Sequence, residues 1–181
     1  KGAKEIVVVG GGNSAVEEGL HLTHFAEQVT LLVRGDKLTA SQIAIEKVNE
    51  PGSKVKVQYN TSVDSFDGQD SKLKSIKTRN IVTGESGEVN PAAAFIFIGQ
   101  QPNSEFIKSY VQTDSYGFIL TGHDLSHDKP NSQTQLLAFE TSTPGIFAAG
   151  DVRHGSVKQV ASAVGEGAAA AISIREYLRT L

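Results

Sequence analysis

Residues 5–9 (EIVVV) carry a β-branched run, unbroken from Ile6 to Val9, that ends in Gly10, Gly11 and Gly12. A run with no polar alternation is the pattern of a strand covered on both faces. Downstream, Ala15, Val16, Gly19, Leu20 and Leu22 recur at helical spacing, while Glu17, Glu18, His21 and His24 take much of the rest of the turn. That arrangement predicts an amphipathic helix. Apolar runs at 29–33 and 55–59 predict two more strands, and between them Thr39 or Ser41 can cap a helix that reaches Val48 before Glu50, Pro51 and Gly52 stop it. Residues 1–60 therefore read β-α-β-α-β, the order of a parallel sheet with crossover helices.

The pattern changes after this. Between 62 and 89 short strand-like pieces (SVDSF, LKSIKTRNI, GEVN) are separated by Asp67-Gly68 and Thr83-Gly84, which predicts an antiparallel meander. Residues 92–98 (AAAFIFI) return as a buried strand, and 99–103 (GQQPN) form the best internal boundary. Beyond it we expect a short helix over 104–111, a strand over 118–120, an exposed polar loop over 121–135, a buried strand over 145–149 and a glycine- and alanine-rich helix over 157–178. The fold class is α/β: a Rossmann-like βαβ domain carrying an antiparallel meander (1–98), then a second α/β segment (99–181).

Composition narrows the chemistry. With 181 residues and 39% of them hydrophobic, the chain can bury a core without staples. It has no cysteine, so it supplies no disulfide, no thiolate metal site and no thiol nucleophile. A net charge of −3 with no basic run gives little electrostatic reason to bind nucleic acid or an anionic membrane. No apolar stretch approaches a membrane span and Lys1 opens no signal pattern, so a cytoplasmic location is expected. His21 and His24, and the loop cluster of His123, Asp124, His127 and Asp128, read as solvated side chains rather than metal ligands. Tyr110 and Tyr116 are expected to pack against a turn, and no Gly-x-Ser-x-Gly elbow is present.

Candidate binding chemistry lies at the first strand's end. Gly10, Gly11, Gly12, Asn13, Ser14 and Ala15 match Gly-x-Gly-x-x-Gly/Ala directly after a strand and at a helix start. Gly10 would make the tight turn, Gly12 would let backbone approach a pyrophosphate, and Ala15 would let the helix pack closely on the sheet. The phosphates would then face a helix N-terminus, where unpaired N–H groups and the dipole favour negative charge. At the second strand's end, where an acid would take a ribose 2′-hydroxyl, the chain has Arg34, which favours NADPH over NADH.

GGGNSAVEEGLHL, VTLLVRGDKLTAS, FIFIGQQPN and TSTPGIFAAGDVR, in that order, resemble the NADPH-binding domain and the carboxyl-terminal flavin segment of the thioredoxin reductase family. The resemblance spans nearly the whole chain. It implies two cofactors, NADPH and FAD, with residues 1–98 as the NAD(P)H-binding domain and 99–181 as part of the FAD-binding domain. Residues 141–151 match the family's Thr-x5-Phe-Ala-x-Gly-Asp signature, which implies that Asp151 meets the flavin ribitol or pyrophosphate and that Gly150 allows close approach. Lys158, Gln159 and Val160 stand where the family has Arg-Gln-Ala against the isoalloxazine ring. Glu17 matches a carboxylate near the nicotinamide, and Ile98 and Gly99, within FIFIGQQPN, count among the cofactor-binding positions. Of the family's three arginines around the 2′-phosphate only Arg34 is kept, with Gly35 and Thr39 at the other two places, so NADH use stays open.

The resemblance further implies hydride transfer from NADPH to flavin and electron transfer to a disulfide. The partner would be a small disulfide protein such as thioredoxin, or another electron acceptor, and the full-length protein a homodimer. The Cys-x-x-Cys pair and the first half of the flavin domain do not occur in this sequence, so no catalytic residue is assigned here and the piece alone is expected to be inactive. A dithiol-free flavin reductase of the ferredoxin–NADP⁺ reductase type and a non-catalytic nucleotide-binding module remain as alternatives.

Overall fold

The computed structural model describes residues 2–128 and 137–181, with 126–128 described by their backbone alone. It is mixed α/β, with one parallel and one antiparallel sheet. The chain divides into two compact units, Lys1–Gly99 and Gln100–Leu181.

The first unit opens β1 (Ala3–Val9), α1 (Asn13–Leu22), β2 (Ala26–Leu32), α2 (Gln42–Asn49) and β3 (Val55–Gln58). A meander of β4 (Thr61–Gln69), β5 (Lys72–Asn80) and β6 (Ser86–Val89) follows, and β7 (Ala93–Ile96) ends the unit. The parallel sheet has the order β3-β2-β1-β7. Its two faces are written in the alternation of β1 and β2. Ile6 and Val8, with Val29 and Leu31, pack with Ala15 and Val16 of α1 and Ala44 and Val48 of α2. Val7 and Leu32 point the other way, to Ile76 of the meander and to Val63, Leu73 and Val89 around it. From Ile6 to Val9 the strand is thus apolar throughout because helices cover one face and an antiparallel sheet the other.

Helix α2 starts one residue after Ser41, whose hydroxyl accepts the Ala44 N–H at 3.4 Å. Other boundaries move. The expected turn at Asp67-Gly68 is a register shift within β4, and the chain reverses instead at Asp70 and Ser71, both at positive φ. Two left-handed residues make the hairpin turn whose twist matches the strands, and aspartate and serine adopt it without glycine. Strand β7 was expected to be buried, yet Phe95 and Ile96 are 39% and 54% exposed, because β7 is an edge of the sheet.

The second unit has less regular structure than its sequence predicts. Over 104–111 the structure has successive turns, Ile107 N–H to Ser104 O and Tyr110 N–H to Ile107 O, in place of a helix. The buried Ser104 hydroxyl donates to Gly117 O at 2.6 Å, so this segment follows a tertiary bond. The expected strands at 118–120 and 145–149 are single bridges, Thr113 to Ile119, Ile119 to Arg153 and Glu140 to Phe147. Glycines at positive φ, Gly145 and Gly150, bracket the second of these and prevent a ladder from extending. Part of the expected polar loop, Gly122–Asp128, is a 3-10 helix; residues 129–135 lie outside the described residues. The last helix, α3 (Val160–Leu178), begins three residues late because Lys158 sits at φ +61°. Tyr110 and Tyr116 do not pack as expected, being 67% and 80% exposed.

Candidate functional site

In the first unit the glycine turn is built from contacts that assign each glycine a different task. Gly10 has φ +139°, and a Cβ there would lie 2.2 Å from the carbonyl oxygen of Phe97. Its N–H donates to Leu32 O at 2.9 Å, which pins the end of β1 to β2. A Cβ on Gly11 would meet Val33 Cγ1 at 2.7 Å, so Gly11 is a packing glycine. Gly12 is different: the nearest atom to its Cβ would be Thr39 Oγ1 at 3.9 Å. Gly12 caps α1, and among the described residues no side chain caps the N–H groups of the first turn. Those donors are therefore open to an anion. Ala15 is fully buried behind the turn, whereas Asn13, Ser14 and Glu17 are exposed around it.

The segment after β2 is tied to this turn. Thr39 N–H and Oγ1 both donate to Gly11 O, at 2.8 and 3.3 Å, and Ser41 N–H donates to the side-chain oxygen of Asn13 at 2.7 Å. Thr39 and Asn13 are thus occupied in holding the two loops together. Arg34 lies at the start of the same segment, exposed and without an ion pair among the described residues. An uncapped helix start joined to a free guanidinium fits a nucleotide carrying several phosphates. Ile98 and Gly99, beyond β7, are exposed, and a Cβ on Gly99 would touch nothing within 4 Å.

In the second unit Thr141 is fully buried and opens the segment that leads to Asp151. Its N–H donates to Ile146 O at 2.8 Å, while the buried Glu140 carboxylate accepts the N–H groups of Leu137 and Gly145. Gly150 follows at φ +77° and begins a 3-10 turn, Gly150–Val152. Asp151 is exposed on it, and its carboxylate has no partner among the described residues. The Lys158 ammonium donates to Asp151 O and Arg153 O, at 3.3 and 3.5 Å, and lies 3.9 Å from the centre of the Phe118 ring. Lys158 therefore grips the turn itself. Gln159 and Val160, exposed, form the uncapped start of α3.

The family model for pyridine nucleotide-disulphide oxidoreductases matches residues 1–167. The chain belongs to this family. The thioredoxin reductase of Bacillus subtilis (strain 168) is 37% identical over 178 residues, covering 98% of this chain and 52% of the relative. The NADPH-dependent thioredoxin reductase 3 of Arabidopsis thaliana is 38% identical over 175 residues, 96% of this chain and 30% of the relative. Among solved structures, Lactococcus lactis thioredoxin reductase in its FR conformation is similar with a TM-score of 0.73 at 35% identity, over 100% of this chain and 55% of that one. The chain thus spans about half the length of these bacterial relatives.

For a pyridine nucleotide-disulphide oxidoreductase, one residue beside the Gly150 turn, Glu166, is assigned by none of the sequence motifs. Glu166 of α3 accepts the Gly150 N–H at 2.8 Å and both arms of the Arg153 fork at 3.1 Å. A signal was available: Glu166 is the only charged residue of α3 before Arg175. The Arg153 fork holds the Glu166 carboxyl below the usual range; burial pushes it up, and the Gly150 N–H helps to pull it down. Asp114 is also lowered. Burial raises it, but hydrogen bonds from His154, Phe118 N–H and Tyr116 N–H outweigh that. Both groups thus contribute stability that is complete above the unfolded values of about 4 and is lost as pH falls through the lower folded values. Chemical denaturation between neutral and strongly acid pH should show stability falling below about pH 4, with a shallower fall in Asp114→Asn. An unchanged slope in that variant would remove Asp114 from the account.

Among the described residues no cluster of three or more ligating side chains could hold a metal ion. Asp124 accepts the Thr121 N–H and lies 3.9 Å from Arg153, and the side chains of His127 and Asp128 lie outside the described residues. His24 Nδ1 is paired with His21 O at 2.8 Å. No described helix is long and apolar enough to cross a membrane.

Proposed function

We propose that residues 1–98 are the NADPH-binding domain, and residues 99–181 the carboxyl-terminal part of the FAD-binding domain, of a thioredoxin reductase-type oxidoreductase. The observation that carries this is the open first turn of α1 behind Gly12, tied through Thr39 to the segment that bears an unpaired Arg34. Bound together, NADPH and FAD would supply the hydride- and electron-transfer chemistry needed to reduce a disulfide.

This chain's residues do the holding. The α1 donors and the backbone of Gly10, Gly11 and Gly12 cradle the pyrophosphate, Asn13 and Ser14 line its rim, and Ala15 lets the helix approach. Arg34 takes the 2′-phosphate, and Glu17 stands beside the nicotinamide. Gly150 and the unpartnered Asp151 meet the ribitol, while Gln159 and Val160 meet the flavin ring at the start of α3. Lys158 acts through the turn it grips, and Ile98 and Gly99 line the exit from the nucleotide domain. Because the chain has no cysteine, the reactive pair comes from another segment or another chain. The electron acceptor is a small disulfide protein of the thioredoxin kind, and the complete enzyme works as a cytoplasmic homodimer.

The test uses the protein expressed from its complete gene, with NADPH and a chromogenic aromatic disulfide. Coupled NADPH oxidation and disulfide reduction is the expected result. Bound flavin with NADPH oxidation but no disulfide reduction would sink the proposal in favour of a ferredoxin–NADP⁺ reductase type. In the same preparation Arg34→Ala should weaken NADPH about tenfold, the scale of one hydrogen bond to a charged group, and NADH much less. Equal losses for both nucleotides would show that Arg34 does not read the 2′-phosphate.

A further inference from the structure

The Gly150–Val152 turn is held by one carboxylate from a helix that starts eight residues further on. Glu166 is only 13% exposed and lies in a run of small and apolar residues, where an unpaired charge would be costly. It is fully engaged instead. One oxygen accepts the Gly150 N–H and Arg153 Nε; the other accepts Arg153 Nη2. The remaining surface of the Arg153 guanidinium is also spoken for, with Thr121 Oγ1 at 3.4 Å, Asp124 at 3.9 Å and the Phe139 ring centre at 5.2 Å. Arg153 N–H closes the turn on Gly150 O at 3.0 Å.

Asp151 therefore sits between two residues held by the same carboxylate, and the Lys158 ammonium fixes its backbone from a third point. Its own carboxylate is left without a partner among the described residues. This is the arrangement of a pre-organised ligand contact: a rigid backbone carries one free acceptor, so little ordering remains to be done on binding.

We propose that Glu166 is a positioning residue for the flavin, holding the Gly150-Asp151 turn so that the Asp151 carboxylate is presented in its binding place. This rests on the reading of Asp151 as a flavin contact given above. Arg153 serves as the brace that orients the Glu166 carboxylate. Its fork is consumed within the protein and is not offered to a ligand.

The experiment uses the complete gene product in three forms, Glu166→Gln, the double variant Arg153→Met with Glu166→Leu, and Asp151→Ala as reference. The FAD dissociation constant is measured by flavin fluorescence, and Tm is measured on the FAD-free protein. A buried ion pair exchanged for apolar side chains often leaves stability unchanged or raised, but here it also leaves the Gly150 N–H without its acceptor. We expect Glu166→Gln and the double variant each to weaken FAD about tenfold or more, with both still folding cooperatively in the FAD-free state. Weakening by Asp151→Ala but not by Glu166→Gln overturns the positioning role and leaves the flavin reading intact. No effect from any of the three overturns that reading as well. Recovery of both Tm and FAD affinity in the double variant, or loss of the folded FAD-free protein in both Glu166 variants, makes the pair purely structural and overturns the proposal.

Discussion

Replacing Gly10 by alanine should cost the protein about 3 kcal/mol or more of stability, while the same change at Gly12 should cost about 1 kcal/mol or less. The two positions are two residues apart in one motif, yet their surroundings differ. At Gly10 the backbone has φ +139°, and the new Cβ would stand 2.2 Å from a carbonyl oxygen of Phe97, itself in the backbone and unable to swing aside. The collision could be relieved only by moving the end of β7 away from β1, where Phe97 N–H donates to Val9 O at 2.8 Å. At Gly12 φ is −86° and the nearest atom would be a threonine hydroxyl at 3.9 Å, an ordinary contact. Urea titration of the two variants checks the stabilities. Calorimetric titration with NADPH then separates them by function: Gly12→Ala should remain folded and lose nucleotide affinity, because its Cβ fills the space a pyrophosphate would approach. A Gly10→Ala protein as stable as the wild type would mean that the turn has a different backbone in solution.

Leu31→Ala should destabilise by about 2–5 kcal/mol and reverse the effect of a change at Gly19. Leu31 is fully buried in the sheet centre, and a Cβ on Gly19 of α1 would lie 2.9 Å from its Cδ2. In the wild-type background Gly19→Ala gains about 1 kcal/mol of helix propensity and loses about 1–3 kcal/mol by overpacking. The net is a loss. Once Leu31 is truncated the obstacle is gone, so the alanine keeps its propensity gain and fills part of the cavity. The double variant should therefore be more stable than Leu31→Ala alone, a coupling of about 1 kcal/mol or more. Denaturant unfolding of the four proteins in the cycle measures it, and strict additivity would show that the helix and the sheet do not meet there.

How far the sequence could be read depended on whether a segment's instructions were local. The EIVVV run, the helical spacing from Ala15 to Leu22 and the Ser41 cap each specify their element within a few residues, and each is present. The first-unit boundaries slipped where a non-local fact decided them. Asp67-Gly68 looked like a turn, but pairing with β5 carried β4 to Gln69. Residues 92–98 looked buried, but sheet order placed β7 at an edge. In the second unit the apolar runs at 118–120 and 145–149 were legible as extended chain, whereas a ladder needs a partner in register, which their composition does not specify. The residues proposed to face the flavin rest on the resemblance, since nothing in the spacing of Gly150 and Asp151 identifies a ligand.

By itself the sequence determined the βαβ order, the two-faced burial of β1 and the place of the glycine turn before α1, because period, caps and glycines act over a single turn or strand. It also determined that no thiol chemistry originates in this chain. Only the tertiary structure decided which glycine is excluded by backbone and which is open, that Thr39 and Asn13 are spent on tying loops together, and that Lys158 grips its own turn. It alone brought Glu166 to Gly150 across 16 residues. The physical reason is common to all of these: they are distances between atoms far apart in the chain, set by how helices and strands pack rather than by any residue's own preference.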